Sequence, residues 1–332
     1  MRRALILGAT GQDGHYLCRH LRGLDYEIVG TTHRAAGLSS GPAGVTMRQL
    51  DMLDTDAMRQ LIRDVQPDEI YNLAARASSA QLFDDAVASG DVNGLSVVRL
   101  LQAMVDIDTP ARLCQALSSE MFAGGRDSPQ TEASPPRPRN AYGAAKAYAW
   151  HALQAYRIHH GTFACGAILY NHESPMRSPH HVTRKITQAV ARIALHGGPP
   201  LRLGAADARR DWGHARDHVQ ALHLMLQMPK PDDFIVATGI SHSVEDFCRM
   251  AFAHVGLDYH DHVTFDTPRP TSPASCELRG DAGKAHRSLG WHADTPLALL
   301  VAEMVEHDLT LMRSAAHDVA APANAVESRL RP

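Results

Sequence analysis

Tyr142 and Lys146 stand four positions apart in the run Tyr-Gly-Ala-Ala-Lys. On a helix, positions i and i+4 share a face, so the phenol and the ammonium address the same ligand. An ammonium beside a phenol favours its ionised form, which makes Tyr142 a usable proton acceptor. The chain holds only four lysines, Lys146, Lys185, Lys230 and Lys284, and fills its other basic positions with arginine. Lysine at 146 supplies what guanidinium does not: a compact point charge with a readily shifted pKa. Upstream, Ser118-Ser119-Glu120 closes an apolar run with hydroxyls and a carboxylate. A glutamate placed in a cleft is costly to bury without a task. Each feature alone has a bland reading, an amphipathic helix or a surface carboxylate. Their order behind a nucleotide-type loop makes them candidate catalytic groups.

That loop is Gly8-Ala9-Thr10-Gly11-Gln12-Asp13-Gly14, between the apolar run Ala4–Leu7 and a helical stretch. Glycines there allow a tight turn and bring backbone amides close to a pyrophosphate at a helix N-terminus. At the end of the second strand a carboxylate would bond the ribose 2′-hydroxyl of NAD. The residues here are Gly30-Thr31-Thr32-His33-Arg34, with no carboxylate. Arg34 instead suits a 2′-phosphate through its forked donors, so the cofactor reading is NADP. Asp51-Met52 stands where an acid meets the adenine amine. Leu73-Ala74-Ala75 ends the fourth strand with the small side chains that close passage along a cofactor requires.

Positioning these groups takes alternating strands and helices. Apolar runs at Ala4–Leu7, Glu27–Gly30, Ile70–Leu73, Leu113–Leu117 and Phe163–Leu169 predict short buried strands. Helical periodicity lies between them, at His15–Arg22, Ala57–Asp64, Leu95–Val105 and Ala141–Tyr156. The alternation predicts an α/β fold, a Rossmann-like parallel sheet with helices on both faces. Beyond Leu169 the texture turns to polar loops, proline-rich turns and isolated helices such as Thr183–His196, which predicts a smaller C-terminal α/β unit. Residues 294–314 read as a last helix, followed by a frayed tail rich in Ala, Pro and Asn.

Composition narrows the function classes. The 332 residues carry a formal charge of -3, and no basic block marks a nucleic-acid or membrane surface. The apolar N-terminal run stops at a glycine turn, so it reads as a strand rather than a signal segment. No stretch approaches the ~20 apolar residues of a membrane span, and a cytoplasmic location is expected. The five cysteines form no C-x-x-C pair and read as reduced, mostly buried thiols. Histidine is abundant, at 21, but His260-Asp261-His262 matches no ligand spacing and reads as a polar loop. No metal is expected.

The chain resembles the extended short-chain dehydrogenase/reductase superfamily and, within it, the GDP-mannose 4,6-dehydratases. The resemblance runs from about residue 3 to about residue 312. It is carried by Gly11–Gly14, Val65–Ala75, Ser118–Phe122, Tyr142–Lys146, Asn171–Pro175, Val182–Ile186, Arg210–His214 and Asp232–Gly239. The blocks at 171–186 and 210–214 are specific to the subfamily. The resemblance implies that Tyr142 removes the O4 proton while NADP takes hydride from C4, and that Lys146 holds the nicotinamide ribose. Glu120 then takes the C5 proton and assists loss of the C6 hydroxyl, and hydride returns to C6. Ser118, at a position normally Thr, bonds O4. His172 and Arg177 match cofactor contacts; Asn171, Lys185, Arg210 and Arg269 fall on the substrate side. It also implies an NADP-binding domain over 1–170 with part of 211–245, a sugar-nucleotide domain over 171–315, and a tail over 316–332.

Several positions differ from the family pattern. The segment between Arg34 and Asp51 is shorter, which removes a tetramer contact and leaves a homodimer, paired through Leu95–Val105 and Ala141–Tyr156, as the expected assembly. Ala88 replaces a cofactor-contacting tyrosine, and Ala77-Ser78-Ser79 replaces Ser-His-Val. The nucleoside-side Arg-Pro-x-Glu-Val becomes Arg269-Pro-Thr-Ser-Pro-Ala-Ser-Cys-Glu277. Either Glu277 is a displaced equivalent of that glutamate, or this chain has no carboxylate for the nucleoside. Two other readings stay open: the same dehydration, or C4-oxidising epimerisation, on another sugar nucleotide; and a non-catalytic NADP-binding scaffold, which has no use for Tyr142, Lys146 and Glu120 together.

Overall fold

The structure, a computed structural model, describes residues 1–77, 85–266 and 277–320, with side chains as far as Ser314. The first unit alternates β1 (Arg3–Leu7), α1 (Gln12–Arg22), β2 (Glu27–Thr32), β3 (Thr46–Gln49), α2 (Thr55–Val65), β4 (Glu69–Asn72), α3 (Ala86–Gly90), α4 (Ser96–Asp106), β5 (Arg112–Ser118), α5 (Ala141–His160) and β6 (Ala164–Leu169). Runs such as Ala-Leu-Ile-Leu in β1, buried along their whole length, are what a strand covered on both faces requires.

The chain then leaves the sheet through β7 (Asn171–Glu173), α6 (Val182–His196), β8 (Leu201–Leu203) and β9 (Arg209–His214). It returns through α7 (Ala215–Gln227) and β10 (Asp233–Val236). β10 completes a seven-stranded sheet of order β10-β6-β5-β4-β1-β2-β3, all of whose pairs are parallel. The order reverses beside β1, which opens a crevice at the C-terminal edge between β1 and β4. On one face Leu17 and Leu21 of α1 pack with Leu222 and Met225 of α7; on the other, Ile62 of α2, Leu100 of α4 and Leu153 of α5 form the second core.

The remainder, β11 (Ser241–Ser243), α8 (Val244–His254), β12 (Val263–Phe265), α9 (Gly283–Leu289) and α10 (Leu297–Ala320), completes the smaller unit. Its three-stranded sheet runs β11-β9-β7, and β8 pairs with β12. A separate core joins Ile186 and Val190 of α6, Phe247 and Phe252 of α8, and Leu300 and Met304 of α10.

Beyond strands that the sequence reading did not expect, the structure departs from the expectation at its helices. The last helix starts at Leu297 rather than 294, after Pro296, whose carbonyl accepts from the amides of Leu299 and Leu300, and it continues to Ala320. The helix expected from Leu95 is preceded by a wide turn at Asp91–Leu95. Helix α7 carries no strong signal in the sequence. It follows β9 directly, with Gly213 still inside the strand, and the His214 side chain itself accepts from the Arg216 amide at its start.

Candidate active site

The glycine loop sits at the end of β1, over the reversal of strand order. Gly8 has φ +84, and a Cβ there would stand 2.9 Å from the Ala74 amide nitrogen. A Cβ on Gly14 would stand 2.5 Å from the Ala9 carbonyl oxygen. These two glycines are therefore fixed by close packing of the loop on β4 and on itself, whereas Gly11 leaves room above it. Among the described residues no side chain caps α1 at Gly11, so the amides of its first turn are free to receive an anion.

A cavity of about 260 Å³ opens from this loop and is lined by Gly8, Gly11, Gln12, Asp13, Gly14, Leu73, Ala75, Ala77, Ser118, Glu120, Tyr142, Lys146, Asn171, His172 and Arg177, with others. Ser118 ends β5, and its Oγ accepts from the Glu120 amide at 3.2 Å, turning the chain so that the carboxylate points to the cavity. Asn140 caps α5 by accepting from the Gly143 amide at 2.7 Å, and its Nδ2 donates to Glu120 at 2.9 Å. A Cβ on Gly143 would lie 2.5 Å from the Glu120 carbonyl oxygen. Glycine inside the Tyr-Gly-Ala-Ala-Lys run thus lets α5 approach the Ser-Ser-Glu turn.

Lys146 is buried, and its Nζ donates to the Ala116 carbonyl at 2.8 Å and lies 5.7 Å from the Tyr142 ring centroid. Burial pushes its ammonium down to about 8. Burial likewise pushes the Tyr142 phenol up to about 12, against hydrogen bonding to Ser118 and with the Glu120 carboxylate adding to the rise. This corrects the sequence expectation. The phenol is raised rather than lowered because burial sets the direction of its shift, while the Lys146 head group is turned to a backbone carbonyl.

A cradle that only glycine fits, an uncapped helix end, a paired Tyr and Lys and a neighbouring carboxylate make a site for a dinucleotide and a sugar. A sequence model of the GDP-mannose 4,6 dehydratase family matches residues 5–304. The chain belongs to the GDP-mannose 4,6-dehydratase family. GDP-mannose 4,6 dehydratase 2 of Arabidopsis thaliana is 40% identical over 93% of this chain and 87% of its own length. The GDP-mannose 4,6-dehydratase of Vibrio cholerae is 34% identical over 96% and 98%. Among solved structures, a putative epimerase from Burkholderia cenocepacia J2315 superposes with TM-score 0.82 at 26% identity, covering 93% of this chain and 98% of its own. RMD from Pseudomonas aeruginosa complexed with NADPH superposes with TM-score 0.80 at 18% identity over 94% and 100%, a likeness of fold.

Within this dehydratase-family frame the other expected residues are distributed unevenly. Asn171 and His172 reach the cavity from β7 itself, and Arg177 from the turn that follows it. Arg34 is exposed at the end of β2, its Nε 3.2 Å from His33 Nε2. Asp51 is exposed and accepts from the Leu53 amide at 2.9 Å, while Met52 is buried beneath it. Thr10 and Ala74 belong to the loop and to its packing partner but not to the cavity lining. Lys185 is exposed on α6, and Arg210 on β9 donates to the Arg209 carbonyl at 2.7 Å. Arg269, Ser78 and Ser79 lie outside the described residues. Ala88 sits in α3, its amide on Asp85. Glu277 is engaged by Ser128 at 2.8 Å and by Ser241, with Arg209 Nε 3.5 Å away, so its carboxylate is held within the protein.

Sequence reasoning missed the residues that hold others. Asn140 was legible as a helix cap three positions before Gly143. Asn93 is buried in the wide turn before α4; it accepts from the Arg76 amide at 3.0 Å and donates to the Arg76 carbonyl at 3.1 Å, fixing the segment after β4. An asparagine interrupting a helical apolar pattern was its only signal. Ser174, whose Oγ donates to Gln12 at 2.8 Å, stood inside the Asn171–Pro175 block without a role of its own being read there.

Proposed function

We propose that the protein converts GDP-D-mannose to GDP-4-keto-6-deoxy-D-mannose, oxidising C4, eliminating water across C5 and C6, and returning hydride to C6. Glu120 carries this reading. Oxidation alone needs one proton-moving pair, whereas elimination needs a second acid–base group, and a carboxylate steadied by Asn140 shares the cavity with Tyr142. The Gly8–Gly14 cradle fits a dinucleotide diphosphate. NADP, when bound, would supply the hydride acceptor for C4 and the donor for C6, and its nicotinamide cation would favour the ionised form of the Tyr142 phenol.

In this scheme Tyr142 removes the O4 proton, Ser118 bonds O4, and Lys146 holds the nicotinamide ribose. Glu120 takes the C5 proton and hands it to the departing C6 hydroxyl, and the proton that Tyr142 took from O4 goes to C5 as hydride returns to C6. Gly8, Thr10, Gly11, Gln12, Asp13, Gly14, Leu73, Ala74, Ala75, His172 and Arg177 surround the cofactor's diphosphate and nicotinamide end; Arg34, Asp51 and Met52 serve its adenosine end. Asn171, Lys185, Arg210 and Arg269 serve the sugar nucleotide. Residues 1–170 with part of 211–245 form the cofactor domain, and 171–315 the substrate domain. Val87, Leu95 and Tyr148 are 79%, 41% and 48% exposed along α3, the wide turn and α5, an apolar face suited to a homodimer; a monomer by light scattering removes that assignment. The location is the cytosol, checked by cell fractionation.

The function is tested by incubating the protein with a panel of sugar nucleotides and weighing the products. GDP-mannose should yield a product lighter by one water. Glu120→Gln should retain oxidation, accumulate reduced-nicotinamide absorbance and lose ~10²–10⁴ in turnover; Tyr142→Phe should show neither product nor reduced nicotinamide. Normal turnover by Glu120→Gln removes the dehydratase assignment. For the cofactor, Arg34→Ala should cost about 1.5–3 kcal/mol of NADP affinity and leave NAD affinity unchanged. Equal binding of both cofactors by the unmodified protein refutes that role.

A further inference from the structure

A loop built to receive a diphosphate carries a carboxylate of its own. Asp13 lies in the first turn of α1 and faces the same cavity as Gly8, Gly11 and Gly14. A negative charge suits the helix dipole but repels a bound diphosphate. Its partner comes from 159 positions away: His172 Nε2, on β7, stands 2.9 Å from Asp13 Oδ2. The other ring nitrogen, Nδ1, lies 2.7 Å from the Tyr170 carbonyl oxygen. Both nitrogens thus face acceptors, and only the imidazolium donates from both. The neighbouring Gln12 joins the same contact, donating to the His172 carbonyl at 3.0 Å and accepting from Ser174 at 2.8 Å.

We infer that His172 is the counter-charge of Asp13: β7 of the smaller unit supplies the cation that cancels a carboxylate inside the phosphate loop, so the loop accepts a diphosphate only with β7 docked on it. The inference rests on the reading that this cavity holds NADP. It makes Asp13 and Gln12 positioning residues. It also assigns to His172 a role through its charge, since both of its N–H groups are spent on the protein.

The surrounding titratable groups agree. Burial works against the His172 cation, but Asp13 outweighs it and the group is raised above its ordinary range; Arg177 opposes this rise. Burial would raise Asp13, but His172 holds it well below the usual carboxylate range, with Arg177 adding to the effect. His218 of α7 stacks on His172 at 4.8 Å and is pushed well below its ordinary value by burial, so it adds no competing charge. His181, before α6, is pushed down to about 4 by burial and Arg177. Tyr142, the remaining neighbour, stays protonated.

The test is NADPH binding to the full-length protein, read by nicotinamide fluorescence between about pH 5.5 and 8, for the unmodified protein, Asp13→Asn, His172→Gln and the double variant. Titration of the ligand's own 2′-phosphate is common to all four and cancels in ratios of affinity. With Asp13→Asn, His172 loses what keeps it charged. Binding then takes up a proton, and affinity relative to the unmodified protein falls as pH rises, by up to about tenfold per unit. With His172→Gln, the uncompensated carboxylate weakens binding about tenfold or more at pH 8, and the deficit closes as pH falls toward protonation of Asp13. The double variant, neutral in both positions, returns to within about threefold of the unmodified protein at every pH. Unchanged pH dependence in Asp13→Asn overturns the inference, as does a double variant no better than His172→Gln. Absence of NADPH binding by the unmodified protein overturns the cofactor reading itself, a separate result. If His172→Gln does not fold, the pH dependence of Asp13→Asn alone decides.

Discussion

Helix α5 packs a buried charge near each of its ends, and the two are treated in opposite ways. Near the N-terminal end Lys146 is buried with one hydrogen bond among the described residues, to the Ala116 carbonyl, and its charged form is disfavoured. Toward the C-terminal end the buried Asp233 of β10 is saturated. It accepts from Trp150 Nε1 at 2.8 Å, from Gln154 at 3.3 Å, from Arg157, and from the Gly166 amide at 2.8 Å. Trp150 in turn packs edge-on against Phe122, two residues beyond Glu120, with ring centroids 6.2 Å apart. Buried charges cost several kcal/mol unless their hydrogen bonding is complete. One end of the helix meets that condition and anchors the Ser-Ser-Glu turn. The other leaves it unmet, and there the proposed chemistry lies.

The sharpest way to break the contrast is to remove the anchor. Asp233→Ala leaves Arg157 and the Trp150 N–H without their acceptor and should destabilise the fold by about 3–5 kcal/mol in denaturant titration. A loss under about 1 kcal/mol would show that the far end is not an anchor at all. The reverse change at the near end should stabilise. Lys146→Met keeps the volume, removes a disfavoured charge and should raise unfolding free energy at pH 7 by up to about 3 kcal/mol while abolishing activity. The sign follows from linkage. The folded lysine titrates at about 8 against its ordinary 10.5. Between those values the unfolded chain binds more protons, so the unmodified protein gains stability as pH rises. The advantage of Lys146→Met should therefore be full below pH 8 and vanish toward 10.5; a pH-independent difference would mean that desolvation is not its cause. The smallest effect belongs to the residue that links the helix to the turn. Asn140→Ala should cost about 1 kcal/mol through removal of the cap. It should also lower turnover while leaving NADPH affinity untouched, since its second bond goes to Glu120; equal turnover would leave Asn140 as a cap alone.

Much of the scaffold was legible before any coordinates, because strand runs, helix periodicity and glycine turns are local properties. Ala4–Leu7 reads as a buried strand, Gly8–Gly14 as a phosphate turn and Tyr142–Lys146 as one helix face because backbone sterics and the 3.6-residue repeat act over a few neighbours. The order of those signals also foretold a parallel sheet, since a parallel connection requires a crossover helix. Short β7, β8, β11 and β12, of three residues each, were not legible, because pairing rather than side-chain alternation defines them. Nor were the charges. That Lys146 turns to Ala116, that burial drives the Tyr142 phenol up rather than down, and that Asp13 meets His172 are outcomes of desolvation and of contacts between distant segments. A pKa depends on what surrounds a group in space, and only the tertiary structure brings the phosphate loop, β7 and the start of α5 to one cavity.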